Sequence, residues 1–286
     1  MRIAVFGGMN MDILGMPSGD FSLRDSVIGS VQMKPGGVGR NIAEHLAANR
    51  NTEIHLITAL GDDTFAEQLQ NDCNQKHILL DYALKTKNPS PAYLAIHDFQ
   101  GDMIAAINDM TALEALTPET IIHVMNQLPA MHFGVLDANL SDKTLTVVAE
   151  KATFPLIADP VSVEKSTRLC PLLDHLAAIK PNLLEAQAMT GQAKPEDAAR
   201  VLLKKGVERV FISMGKEGLY YADLHISGHL PARKIAHGYL TGAGDALCAG
   251  LVLSLAKGMD TKSAAQDAQD FAIQYLMSTI DKGECL

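Results

Sequence analysis

A chain of 286 residues, 47% hydrophobic and 20% charged, has the balance of an ordinary globular protein and enough material to bury a large core. Its net charge of −9 argues against a nucleic-acid partner, because no surplus of cations is available to neutralise phosphates. The four cysteines (Cys73, Cys170, Cys248 and Cys285) lie far apart with no C-x-x-C spacing, which argues against a structural zinc site or disulfide framework and fits a reducing compartment.

Met1–Gly8 carries an apolar run too short for a secretory signal and reads as a buried strand ending in glycines. No apolar stretch approaches the roughly 20 residues that cross a bilayer, so the expected location is the cytoplasm, with no membrane partner. In chain order, short apolar or β-branched runs at Ile3–Phe6, Glu53–Thr58, Ala130–Leu136, Pro155–Ala158, Leu176–Ile179 and Arg209–Ser213 predict strands. Helical patterns fall between them at Val38–Asn49, Thr64–Gln75, Asp142–Ala152, Asn182–Thr190 and Glu196–Lys205. Such alternation predicts an α/β fold, a mostly parallel sheet covered by helices, with ligands gathered beyond the carboxyl ends of the strands. Two stretches break the pattern. Ile13–Met33 is turn-rich with β-prone patches, and Pro91–Ile107 reads as two strands around Phe99-Gln100-Gly101-Asp102, a hairpin signal. The expectation is a single domain over 1–286, with these two stretches paired as a small β-lid.

Thr241-Gly242-Ala243-Gly244-Asp245-Ala246, before the helical pattern Leu247–Lys257, carries the strongest chemical signal. Glycines at a helix entrance let backbone N–H groups approach an anion, and the helix dipole favours negative charge there. An acidic residue in that turn can take a proton from an attacking hydroxyl, or simply complement the dipole. Lys34-Pro35-Gly36-Gly37-Val38-Gly39-Arg40-Asn41 is a second glycine-rich helix entrance, where Asn41 offers a donor and an acceptor to a polyol; it also reads as an ordinary flexible loop. Asn10 and Asp12, after Gly7-Gly8, point the same way in an extended segment and could grip two hydroxyls, or form an Asx turn. Asn182-Leu183-Leu184-Glu185 has the spacing of a capping box, and the same carboxylate could order the water shell of a Mg²⁺–phosphate unit. Ser213-Met214-Gly215-Lys216-Glu217-Gly218 ends a strand, either as a tight turn or as a backbone cradle for a nucleotide. The Walker A pattern G-x-x-x-x-G-K-[ST] is absent, as is the protein-kinase signature set.

Taken in order, Gly8–Asp12, Gly36–Asn41, Asn182–Glu185, Ser213–Gly218 and Gly242–Asp245 resemble the PfkB/ribokinase family of carbohydrate and nucleoside kinases over nearly the whole chain. The resemblance implies a ribokinase-like doubly wound domain with a β-lid, using ATP and Mg²⁺. It implies Asp245 as catalytic base and the amides of Gly242, Ala243 and Gly244 as an anion hole. Asn10, Asp12, Gly36, Gly37 and Asn41 would hold the sugar; Asn182, Ser213, Gly215, Gly218, Thr241, Gly242 and Gly244 would line the ATP site; Glu185 would serve Mg²⁺ through water.

Within the family, Gly7–Asp12, Ala106-Ile107-Asn108-Asp109-Met110, Asp137-Ala138-Asn139-Leu140 and Asp159-Pro160-Val161-Ser162 look most like the pseudouridine-phosphorylating branch. That likeness implies a nucleoside 5′-hydroxyl as acceptor, with Asn108 and the lid facing the base or ribose, Lys165 near the acceptor and Asn139 among the substrate contacts. The family commonly carries an Asp where Tyr239 stands, so the carboxylate that would support a monovalent cation such as K⁺ is missing at that position. The segment Phe271–Leu286 lacks the small-residue loop expected around adenine. A kinase of a free sugar, ribose or a ketohexose type, is the alternative within the family. A non-catalytic ligand-binding protein of the same fold is the alternative outside it, and the intact Gly242–Asp245 motif counts against that. A lid strand could pair across a homodimer.

Overall fold

The computed structural model describes residues 1–21, 24–233 and 242–281. Along the chain, β1 (Arg2–Phe6) leads into β2 (Asn10–Pro17), β3 (Gly29–Gly36), α1 (Val38–Ala47), β4 (Glu53–Ile57), β5 (Ala59–Leu60) and α2 (Thr64–Gln75). There follow β6 (Ile78–Leu79), β7 (Leu84–Lys85), β8 (Ala92–His97), β9 (Met103–Asp109) and α3 (Pro118–Gln127). Next come β10 (Phe133–Asp137), α4 (Asp142–Lys151), β11 (Leu156–Asp159), α5 (Val163–Ser166), β12 (Ala178–Ile179) and α6 (Leu183–Thr190). The last elements are α7 (Pro195–Lys204), β13 (Val210–Ser213), β14 (Leu219–Ala222), β15 (Ser227–Leu230), α8 (Ala243–Ala256) and α9 (Thr261–Asp281).

Nine strands form the main sheet in the order β15-β14-β13-β12-β11-β10-β1-β4-β6. It is parallel from β13 through β6 and antiparallel at the β13-β14-β15 edge. This is the doubly wound α/β arrangement that the alternation predicts. Its central strands are buried on both faces, so they read as continuous apolar runs. Successive residues serve opposite layers. Ile3 and Val5 pack in one core with Ile42 of α1 and Leu251 of α8, while Ala4 and Phe6 pack in the other with Ile121 of α3 and Leu145 of α4. Helix α8 is buried along ten consecutive residues, Ala246–Leu255, and lies between α1 and α9. Gly250 permits the close approach of α9, since a Cβ there would meet the Ala268 Cα at 2.7 Å.

The two stretches that interrupt the alternation pair with one another in a separate four-stranded sheet, β3-β2-β8-β9. Strand β2 begins at Asn10, earlier than the turn-rich stretch suggests, so Asn10 and Asp12 lie on this small sheet. Asp98 closes the β8–β9 turn by accepting from the N–H groups of Gln100 and Asp102, with Gly101 in the left-handed region. Several boundaries differ from the sequence reading. β10 starts at Phe133, although the His132 N–H already reaches the Arg2 carbonyl. Helix α8 starts at Ala243 rather than Leu247, which puts Asp245 inside its first turn. Phe271–Asp281 continue α9, in keeping with the lack of a small-residue loop in that part of the sequence. β14 and β15 add two antiparallel strands on which the strand–helix alternation is silent.

Candidate active site

Parallel register sets one row of strand ends at a common level. Phe6 pairs with Leu136, Asp137 with Asp159, and Ala158 with Ile179. Gly7, Asp137, Asp159 and Lys180 therefore line up along the carboxyl edge of the sheet. Asp137 is fully buried. Its Oδ2 accepts from the backbone N–H groups of Gly8 and Gly39, each at 2.8 Å, and its Oδ1 from Asn139 N–H at 2.6 Å. One carboxylate thus ties the loop after β1 to the entrance of α1. Burial pushes Asp137 up to about 6 against those hydrogen bonds. Gly7 and Gly39 are required by this closeness: a Cβ on Gly7 would meet the Asp137 Cβ at 2.7 Å, and one on Gly39 would meet the Gly7 Cα at 2.9 Å.

Asp159, the last residue of β11, accepts from Val161 N–H at 2.9 Å and from the Lys180 ammonium at 3.1 Å. Val161 itself takes a left-handed backbone (φ 67°), uncommon for a β-branched residue and of the kind that clusters near functional sites. Burial opposes charge on Lys180, but Asp159, Cys248 and Glu185 outweigh it and hold the ammonium above its usual range. Lys180 also reaches the α8 entrance: a Cβ on Gly244 would stand 3.7 Å from its Nζ. A buried cation and the positive end of a helix therefore meet at one point, which suits a transferring phosphoryl group.

Asp245 faces this point from the first turn of α8. Burial and the nearby Asp159 push its carboxyl up to about 7, against a hydrogen bond from Asn41. The Asn41 amide donates to Asp245 Oδ2 at 2.9 Å. α1 packs against α8, which brings together two residues 204 positions apart in sequence. Gly242, the N-cap of α8, adopts the left-handed conformation (φ 83°) that turns the chain into the helix. Thr241 and Tyr239 lie outside the described residues.

The remaining expected residues fall into four groups. Asn10, 2% exposed, donates to Asp12 Oδ1 at 2.6 Å, and Asp12 is raised by burial. Gly36 and Gly37 flank them; a Cβ on Gly36 would overlap the Asp12 carboxylate, and Gly37 (φ 98°) passes the Gly8 carbonyl. Across the small sheet, Lys34, Asp12, Tyr93 and Asn108 form one row on one face. Asn108 is exposed on the outer strand, directly opposite Tyr93. Lys165 donates to Asn139 Oδ1 at 2.6 Å, beside Gly8. Asn182 and Glu185 form a true capping box at α6, at 2.8 and 2.9 Å. Ser213 bridges to Asn182, placing the β13 end beside that cap. A Cβ on Gly215 would meet open space, while one on Gly218 (φ 104°) would collide with the Leu230 carbonyl.

The donor set bears on the expected cofactors. Among the described residues no group of three metal-ligating side chains is gathered. Asp159 is committed to Lys180, and Glu185 Oε2 to Asn182 N–H. A Mg²⁺ held by phosphate oxygens, with Glu185 reaching its water shell, fits these residues; a cage of protein ligands does not. Asp137, Asp159, Lys180 and Arg40 are absent from the sequence-derived site. The first three had a usable signal, a charged residue directly at the end of an apolar strand.

Residues 1–278 match the family described as pfkB family carbohydrate kinase. Pseudouridine kinase of Escherichia coli is 32% identical, covering 99% of this chain and 98% of that protein. Among solved structures, ribokinase of Thermotoga maritima superposes with a TM-score of 0.84 at 21% identity, covering 95% of this chain and 91% of that one. Ribokinase of Arabidopsis thaliana, complexed with ribose and ATP, superposes with a TM-score of 0.78 at 20% identity, covering 95% and 91%.

Proposed function

The chain belongs to the pfkB family of carbohydrate kinases, ATP-dependent enzymes with an alcohol acceptor, and we propose that it transfers the γ-phosphoryl group of ATP to the 5′-hydroxyl of pseudouridine. The observation that carries the catalytic reading is the meeting of Asp245, Lys180 and the α8 entrance at one point. Asn41 engages one Asp245 oxygen, leaving the other to accept the acceptor's proton. A carboxyl poised near 7 is suited to that role at neutral pH. Lys180 and the first-turn amides of α8 offset charge on the moving phosphoryl group, and positioning does most of what phosphoryl transfer needs. Bound Mg²⁺ would neutralise phosphate charge, with Glu185 ordering its water shell.

Asn182, Ser213, Gly215 and Gly218 would line the nucleotide side, and Thr241 would join Gly242 there. Asn10 and Asp12 would grip ribose hydroxyls. Lys34, Tyr93 and Asn108, on the same face of the small sheet, would close over the base, with Asn139 and Lys165 at its other edge. Likeness to pseudouridine kinase along almost the entire chain supports the nucleoside over a free sugar. The small sheet then serves as the lid of one ribokinase-like domain.

The lid's opposite face carries Met33, Ile13, Leu94 and Ile107 in one row, with Met33 55% and Ile107 67% exposed, which supports a homodimer built on that face. Sedimentation should give twice the chain mass, and Ile107→Lys should return it to one. No helix among the described residues is long and apolar enough to cross a membrane. Cytoplasmic ATP and the free thiols of Cys73 and Cys248 fit an intracellular location.

The deciding assay is ADP release from ATP and Mg²⁺ with pseudouridine, uridine, other nucleosides, ribose and ketohexoses. Pseudouridine should give the highest kcat/KM. Equal or better turnover of a free sugar would redirect the substrate assignment and leave the kinase reading intact.

A further inference from the structure

Arg40 stands in the first turn of α1 and is 3% exposed. Its Nε and Nη2 donate to Asp72 Oδ2 on α2, and its Nη1 pairs with Glu44 Oε2 at 2.7 Å, one turn further along α1. Two carboxylates are enough to neutralise a buried guanidinium, yet Nη1 also donates to the Asn41 side-chain oxygen at 2.9 Å. This last contact decides which way the Asn41 amide points. A guanidinium has donors only, so the Asn41 atom facing it must be the carbonyl Oδ1. The NH₂ end is then turned toward Asp245 Oδ2, at 2.9 Å. The flipped amide would oppose donor to donor at Arg40 and oxygen to oxygen at Asp245.

We infer that Arg40 is a positioning residue for phosphoryl transfer: it fixes the Asn41 amide so that this amide holds one oxygen of Asp245 and leaves the other to the acceptor hydroxyl. The inference rests on Asp245 acting as base. It assigns Asn41 to the base, beyond the sugar contact that the glycine-rich loop suggests. The other charged groups around Asp245 are Asp137 at the end of β10, Asp159 at the end of β11 and Lys180 after β12. They are unchanged in the variants below, so a moved pH limb reports the amide.

Arg40→Lys keeps a cation for Asp72 and Glu44 but lacks the planar fork that reaches Asn41. Its kcat should fall on the order of 10-fold, as the loss of one hydrogen bond to a charged group implies. The KM for ATP should stay within about two-fold. The acidic limb of kcat/KM should move to higher pH, because the Asn41 donation that stabilises ionised Asp245 is lost. In an Asn41→Leu background the same Arg40→Lys change should cost nothing further in kcat. Multiplying losses, or an unmoved limb, would reduce Arg40 to a pin between α1 and α2. Asn41→Leu leaves the Arg40–Asp72–Glu44 cluster intact and decides the matter alone if Arg40→Lys does not fold. A raised nucleoside KM with an unmoved limb would return Asn41 to the sugar and overturn the inference. Failure of the underlying reading looks different, because Asp245→Asn would then retain activity.

Discussion

Lys180 and Asp159 meet at 3.1 Å with both side chains 6% exposed, one residue beyond the paired ends of two adjacent strands. Each residue is the other's main compensation. Breaking a buried pair by removing one partner typically costs about 3–5 kcal/mol, because the remaining charge is left without its counter-ion. Lys180→Met should therefore lower stability by that amount, read from a denaturant midpoint. Adding Asp159→Asn should restore most of it, since the orphaned charge is gone. Activity per folded molecule should remain low in both variants, as Lys180 also faces the α8 entrance beside Gly244. Wild-type kcat in the folded double variant would show that the pair is structural only.

Two neighbouring glycines should behave differently when replaced by alanine. A methyl group at Gly36 would first meet the end of the Asp12 side chain, which can swing away. Gly36→Ala should fold nearly normally and raise the KM for the nucleoside, because Asp12 leaves its place beside Asn10. Gly37 has φ 98° and a Cβ there would meet the Gly8 carbonyl and the Met9 Cα at 2.7 and 2.8 Å. Gly37→Ala should cost at least about 1–2 kcal/mol, the ordinary penalty of a left-handed backbone for a side-chain-bearing residue, before any backbone clash is added. Thermal melts and nucleoside KM values for the two variants, measured side by side, separate these effects.

The small sheet should close on substrate. Lys34, Asp12, Tyr93 and Asn108 lie in one row on one of its faces, and shielding ATP from water limits wasteful hydrolysis. Saturating nucleoside should slow hydrogen exchange in β3 and in the β8–β9 hairpin together. Unchanged exchange in both would mean that the sheet is not a lid.

The parallel sheet was legible because strands buried on both faces leave continuous apolar runs, as at Ile3–Phe6 and Pro155–Ala158. Glycine loops were legible because close approach and positive φ leave few alternatives to glycine, as at Gly37 and Gly242. Asp137 was visible as a charge at the end of an apolar strand, but what it does there was not. Its role is to accept N–H groups from Gly8 and Gly39, 129 and 98 residues distant, and no local pattern encodes such a meeting. Arg40 looked like one more polar residue in a glycine-rich loop until α1 and α2 packed together around it. The Asn182–Glu185 spacing was ambiguous for a different reason: a capping box, which forms, and a carboxylate serving a metal's water shell call for the same two residue types at the same spacing.

Asp245→Asn separates catalysis from helix capping through both rate and stability. The carboxyl lies at about 7 in the fold against an ordinary 3.8, chiefly because burial disfavours its charge. An acid whose folded value is raised keeps its proton where the unfolded chain has already lost it. From about pH 4 to about 7 the native state therefore binds more protons, and the group's contribution to stability declines as pH rises through that window. It is fully present below the window and lost above it. At pH 8 the wild type carries a half-buried anion, so the neutral Asp245→Asn should be the more stable protein, with the difference closing toward pH 4. A carboxylate that merely complements the helix dipole predicts the opposite sign at pH 8, a loss of about 0.3–1 kcal/mol. Activity should fall by roughly 10²–10⁴, the usual cost of losing a positioned base, while ATP affinity holds or rises as a negative charge near the phosphates disappears. The wild-type kcat/KM should rise with pH to a plateau, with its midpoint near the Asp245 value, and the residual activity of Asp245→Asn should lack that limb. Denaturant midpoints at pH 4, 6 and 8, together with kcat and ATP Kd, provide the measurement. A folded Asp245→Asn turning over within a few-fold of wild type would remove Asp245 from the chemistry, whatever its effect on stability.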